Sequence, residues 1–196
     1  HTATHLLQAA LRKVLGAHVR QQGSLVAPDR LRFDFTHFKN IDRAQLERIE
    51  AQVNDSITDN YKVTAKQSSL KEAKISGALA FFAEKYAHKV RTISVGDVSK
   101  ELCGGTHLDY TGQIGIFKIL QESSVASGIR RIEAVTGTAA YKLIKEEEEL
   151  IAELTVFLNV PADKIKQELE KKSAQLKDLE KQLNSKRIDS LKGNLD

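Results

Sequence analysis

His1-Thr-Ala-Thr-His5-Leu-Leu-Gln-Ala-Ala-Leu-Arg-Lys-Val-Leu15 opens the chain and decides how the rest is read. Apolar Leu6, Ala9, Ala10, Leu11 and Val14 recur at helical spacing, and Gly16 supplies a stop, so the stretch is expected to be an amphipathic helix. Residues four apart on a helix lie one above the other, which places the imidazoles of His1 and His5 on one face, where both can close on a single cation. About a hundred residues later comes Cys103-Gly-Gly-Thr-His107, which contains the chain's single cysteine. A thiolate and an imidazole flank Gly104 and Gly105, and that pair of glycines suits a tight loop whose backbone passes close to an ion or a substrate. Taken together, the two motifs read as a zinc site with His1, His5, Cys103 and His107 as the ligand set. A thermolysin-like protease is excluded, because it needs Glu beside the first His and this chain has Thr2.

The number of ligands leaves its own question open. A catalytic zinc ordinarily keeps one position free, whereas four protein ligands describe a closed structural site. Either one of the four stays unbound, or the ion becomes five-coordinate, or it serves only to orient a substrate. His1, at the end of the sequence where fraying is expected, is the weakest of the four.

Between the two motifs the chain alternates short strand and helix patterns. Leu31 to Phe35, Val90 to Val95, Ile114 to Leu120 and Ile129 to Val135 read as strands, and residues 42–59 and 68–85 as helices. The segment Gly23 to Arg30 reads as a loop. The fold class expected is α+β, with a mixed, partly antiparallel sheet and helices. Beyond Thr138 the composition shifts to Lys, Glu, Leu and Ala. The expected organisation is a first domain over 1–137 and a helical or coiled-coil-like extension over 138–196. One helix is expected from Ala139 to Leu158 and a second from near Pro161. Ile165, Leu169, Leu176, Leu179 and Leu183 follow interrupted heptads there, enough to suggest self-association.

Composition narrows the class. The net charge of +4 and pI near 9.1 permit contact with RNA without demonstrating it. A single cysteine excludes an internal disulfide framework and makes a reducing cytoplasm the natural setting. No apolar run approaches the roughly 18 residues that span a bilayer, so no membrane partner is expected. The chain has no Met and is expected to be a piece of a longer protein.

The run His1 to Leu7, the segment Gln21-Gln-Gly-Ser-Leu-Val-Ala-Pro-Asp-Arg-Leu-Arg-Phe-Asp-Phe-Thr-His37 and Cys103 to His107 resemble the editing domain of alanyl-tRNA synthetase. They are also similar to the free-standing trans-editing proteins related to that domain. The editing domain of threonyl-tRNA synthetase shares the His and Cys spacing, but Pro is expected there in place of Thr106. The resemblance implies zinc-dependent hydrolysis of the ester joining serine or glycine to tRNA(Ala). Its expected partners are the acceptor end of that tRNA and the remaining domains of the parent synthetase. An editing site must bond the serine hydroxyl, because alanine is smaller and would enter, and unpaired polar groups reject the analogue that lacks the hydroxyl. The resemblance assigns this reading to Thr4, with Gln21 as second candidate through its amide. Ser24 and Arg30, in the Gly23 to Arg30 segment, and the pair Arg130 and Arg131 are candidates for tRNA contact. The two arginines are adjacent in a strand and should point to opposite faces, so at most one of them faces the site, and structural ion pairing is the equal alternative. A second class of reading is a non-catalytic zinc-stabilised module for RNA binding or oligomerisation, which would have no need of Thr4 and Gln21 beside the ligands.

Overall fold

Burial of one face of the opening helix organises the first part of the molecule. In the computed structural model, which describes residues 1–79 and 89–192 (186–192 by backbone only), α1 spans Thr2–Leu15 and buries Leu6, Leu7, Ala10 and Leu11. It ends where expected, at Gly16, whose φ of 120° disfavours other residues and whose N–H donates to the Arg12 carbonyl at 3.0 Å. The second helix, α2, spans Arg43–Thr58 and starts on a capping box in which Asp42 and Gln45 satisfy each other's backbone N–H. Ile49, Val53 and Ile57 form its buried stripe, as their spacing predicts.

The strands form two sheets. β1 (Gln21–Val26), β2 (Leu31–Thr36), β6 (Phe117–Ala126) and β7 (Ile129–Thr136) make a four-stranded sheet in the order β1-β2-β7-β6. β3 (Val63–Ser69), β4 (Lys89–Val95) and β5 (Ser99–Leu102) make a three-stranded sheet in that order. Every ladder is antiparallel, and the only parallel pairing among the described residues is the isolated bridge Leu79–Glu101. The mixed sheet expected from the sequence is therefore a pair of antiparallel sheets. Phe33, Phe35, Phe117 and Ile132 from the larger sheet, Ile93 and Val95 from the smaller one, and the buried faces of α1 and α2 form one core.

Three local expectations are corrected. Residues 23–30 are not a loop: Gly23 to Val26 lie in β1, and only Ala27 to Arg30 turn, closed by the Ala27 N–H on the Arg30 carbonyl at 2.9 Å. As an edge strand, β1 is mostly exposed and shows no apolar alternation to read. The helix expected over 68–85 is limited to α3, Leu70–Ile75, because residues 63–69 form the equally exposed β3 and Ser69 caps the helix with Glu72. Its continuation over 80–85 lies outside the described residues. The strand expected from Ile114 begins only at Phe117, since Thr111–Ile114 is a 3₁₀ turn and Gly115 sits at φ 70°.

The chain divides into two compact units, His1–Lys142 and Leu143–Asp196. Helix α4 spans Gly137–Leu158; its first residues belong to the first unit, where Ala140 is fully buried. In the second unit a 3₁₀ turn, Ala162–Lys164, follows Pro161 and leads into α5, Ile165–Lys192. Leu169, Leu176, Leu179 and Leu183 are exposed on α5. No helix among the described residues is long and apolar enough to cross a membrane.

Asn54 joins α2 to the larger sheet. Its amide nitrogen donates to the Phe117 carbonyl and its oxygen accepts from the Phe117 N–H, both at 2.9 Å. Replacing Asn54 by Ala strands both backbone groups of a fully buried residue, and a cost of about 2 kcal/mol is expected. Urea unfolding of the Asn54→Ala variant checks this, and a loss below about 0.5 kcal/mol would contradict it.

Candidate metal centre and the clefts beside it

Three elements bring three of the four candidate ligands together. His5 comes from the buried face of α1, Cys103 directly follows β5, and His107 closes the loop after it. The Cys103 N–H donates to the Arg91 carbonyl of β4 at 3.1 Å, which extends the smaller sheet's pairing to the first loop residue. One ligand atom each from His5, Cys103 and His107 lies within 4.8 Å of the others, and this is the only such cluster among the described residues. The ring centroids of His5 and His107 are 4.7 Å apart, edge to face.

His1 is placed differently. Its ring lies 5.9 Å from that of His107, outside the compact trio, and it is exposed. It packs instead over the loop, where a Cβ at Gly105 would come within 2.6 Å of the imidazole. Gly105 is therefore required by close approach, while a Cβ at Gly104 would meet open space.

The loop is held by side chains that the sequence did not single out. The Thr2 hydroxyl, nearly fully buried, is 3.1 Å from His107 Nδ1 and accepts the Leu108 N–H at 3.2 Å. With Nδ1 held in this way, His107 Nε2 faces the Cys103 Sγ at 3.4 Å. A hydrogen bond to the far nitrogen of a ligating imidazole fixes its tautomer and orientation. Arg91 donates through Nη1 to the Gly105 and Cys103 carbonyls and so clamps the glycine turn from the neighbouring strand. Thr2 lies between two motif residues and Arg91 within a strand pattern, and neither carries a sequence signal of its role.

These residues fit a zinc ion. His5 Nδ1 is buried without a hydrogen-bond partner, a costly state for a ring nitrogen unless something coordinates it. Burial, followed by the neighbouring His107, lowers the His5 pKa to about 3. Burial, with Arg91 nearby, lowers that of His107 to about 4. Both imidazoles are therefore neutral near pH 7, which is the form that binds metal. Two imidazoles and a thiolate are a donor set that zinc accepts.

The remaining candidates sit in defined places. The Thr4 hydroxyl is buried and donates to the His1 carbonyl at 2.6 Å. Gln21 and Ser24 lie on β1, with Gln21 Nε2 donating to Ser24 Oγ at 2.9 Å. Arg130 and Arg131 do point apart. Arg130 forms a two-pronged ion pair with Glu122 and also donates to Asn40, whereas Arg131 grips both oxygens of Asp34 at 2.7 and 2.9 Å. Each guanidinium is thus committed to a carboxylate. Arg30 pairs with Asp29 at 3.0 Å and reaches Glu133 at 3.6 Å. Two clefts meet at His1. One, of about 380 Å³, is lined by His1, Thr2, His107, Gln113 and Thr136 among others. The other, of about 90 Å³, is bordered by His1, Thr136 and the turn from Ala27 to Arg30.

The sequence that builds this part of the molecule matches known proteins. Residues 90–133, which include Arg91, Cys103 and His107, match the family described as the threonyl and alanyl tRNA synthetase second additional domain. Over 188 residues, 96% of the chain, the sequence is 53% identical to an alanine–tRNA ligase of Thermotoga maritima, and it covers 22% of that protein. Similar ligases of Halorhodospira halophila (51% identical over 93% of the chain) and Clostridioides difficile (50% over 94%) are each covered to 21%. The chain belongs to the alanyl-tRNA synthetase family, and it spans about a fifth of the length of the curated relatives it matches.

If the Thr2 hydroxyl orients His107, Thr2→Val should lower zinc affinity by about 10- to 100-fold, while Thr2→Ser, which keeps the hydroxyl, should stay near wild type. Competition with a chromophoric chelator measures both. Equal affinities in all three proteins would remove this role from Thr2.

Proposed function

We propose that the chain is the editing module of an alanyl-tRNA synthetase and hydrolyses the ester of Ser-tRNA(Ala) and Gly-tRNA(Ala) at a zinc site. The observation that carries this reading is the compact group of His5, Cys103 and His107, in which the buried His5 has a ring nitrogen without a protein partner. Three protein ligands in that group, with His1 outside it, favour a site that keeps a position open over a closed structural one. Bound there, zinc supplies Lewis acidity toward an ester carbonyl.

The chain's own residues supply the rest. Thr2 and Arg91 hold the His107 loop in place before substrate arrives, so that little reorganisation is needed at the moment of reaction. The Thr4 hydroxyl donates its hydrogen bond to the His1 carbonyl and keeps lone pairs that can accept a hydrogen bond from the serine hydroxyl. Alanine offers no such donor. Gln21 is the second residue assigned to this discrimination. Arg30, on the turn bordering the smaller cleft, is suited to the phosphates of the acceptor end, and Ser24 and the Gly104–Gly105 backbone to its sugar. Arg130 and Arg131 act in this reading through the sheet they brace. The other synthetase domains are the expected neighbours, α5 carries any self-association through its exposed leucines, and the cytoplasm is the expected location.

Mixing the chain with Ser-tRNA(Ala) and Ala-tRNA(Ala) and following ester loss tests the proposal. Serine should be released much faster than alanine, and Cys103→Ala should abolish the difference. Thr4→Val, which keeps the shape and drops the hydroxyl, should narrow the serine-to-alanine ratio by about tenfold or more with zinc content unchanged. Wild-type protein that holds zinc but hydrolyses neither ester would point to a structural module.

A further inference from the structure

The larger of the two clefts that meet at His1 contains a polar group with one end already fixed. Gln113 stands in the 3₁₀ turn Thr111–Ile114, and its Oε1 accepts the N–H of Asp109 at 2.9 Å and of Tyr110 at 3.0 Å. Both partners are backbone donors, and this settles the amide's orientation: the oxygen faces the turn and the NH₂ group faces away from it. Among the described residues Nε2 has no partner, and the side chain lines the 380 Å³ cleft with His1, Thr2, His107 and Thr136. That volume lies within the roughly 300–1,000 Å³ of small-ligand sites. A wall of this cleft is His107, one of the three clustered metal-binding side chains.

We propose that Gln113 is a substrate-positioning residue that donates from its amide to an acceptor on the sugar or base of the terminal nucleoside, seating that nucleoside in the cleft beside His107. The proposal rests on the deacylase reading above and adds the place where the nucleoside end sits. The chemistry selects the ligand group. An amide whose oxygen is occupied can offer only hydrogens, so it suits a hydroxyl, carbonyl or ring-nitrogen acceptor and does not suit the ammonium of the amino acid. The amino-acid end is thereby directed toward the metal cluster and the nucleoside end toward the 3₁₀ turn. Because the turn holds the amide in place, little side-chain entropy is lost on binding.

Gln113→Glu tests this with minimal disturbance. A carboxylate oxygen can still accept the Asp109 and Tyr110 N–H groups, so the turn is kept, while the donor becomes a negatively charged acceptor. Binding is measured by calorimetry with a non-hydrolysable probe, 3′-serylamino-3′-deoxyadenosine, on the 196-residue chain. The expected result is binding to wild type, weakened about tenfold or more in Gln113→Glu, with zinc content and thermal midpoint unchanged. In Ser-tRNA(Ala) hydrolysis the loss should fall on KM more than on kcat. Equal probe affinity in the two proteins overturns the proposal, as does a wild type that does not bind the probe. The deacylase reading is judged separately by wild-type hydrolysis of Ser-tRNA(Ala), which can succeed while Gln113 proves irrelevant.

Discussion

The arrangement around the ligands depends on one constraint: His5 is carried into the interior by the helix that also carries the core. Leu6, Leu7, Ala10 and Leu11 are buried to build that core, and α1 cannot present them without burying His5 on the adjoining face. Its Nδ1 then has no protein partner. An unpaired buried ring nitrogen costs on the order of 1–3 kcal/mol, and protonating it in place is opposed by burial and by His107. A coordinated cation relieves both difficulties. Where such a site exists only in the folded chain, the free energy of metal binding adds to that of folding.

The loop that answers His5 is braced from two sides. Thr2 reaches it from the same helix, and Arg91 from β4. The smaller antiparallel sheet and one helix therefore meet at the Cys103–His107 turn, and the family match over residues 90–133 takes in most of β4, then β5, that turn and most of the strands that follow. Elsewhere charge is used for framing. The Arg131–Asp34 and Arg130–Glu122 pairs join neighbouring strands of the larger sheet in two-pronged geometry, stronger than the exposed lysine–glutamate pairs of α4 and α5.

What the sequence made legible follows from how each signal arises. Periodic burial was readable in α1, α2, β2 and β7, because Leu6 to Leu11, Ile49 to Ile57, Leu31 to Phe35 and Ile132 to Val135 are constrained by the core. The edge strands β1 and β3 carried no such period, since most of their residues face solvent, and Thr64 to Ser69 looks as much like a helix start as a strand. Ser69 is in fact both, the last residue of β3 and the cap of α3. In the site, residue types and spacing singled out His5, Cys103 and His107, which the fold brings together. His1 was the weakest of the four by its terminal position, but its place over the loop could not be read, because it depends on where the Gly105 backbone passes. Thr2, Arg91 and Gln113 were invisible for a related reason: each acts through backbone groups or a ring nitrogen brought near only by folding.

The central claim is that His5, Cys103 and His107 together hold one zinc ion. X-ray absorption at the zinc edge of the purified, zinc-loaded chain tests it most directly. The account predicts one sulfur scatterer near about 2.3 Å and at least two imidazole nitrogens near about 2.0 Å, with a remaining light scatterer at the open position. A first shell without sulfur, or one with a single imidazole, would contradict it.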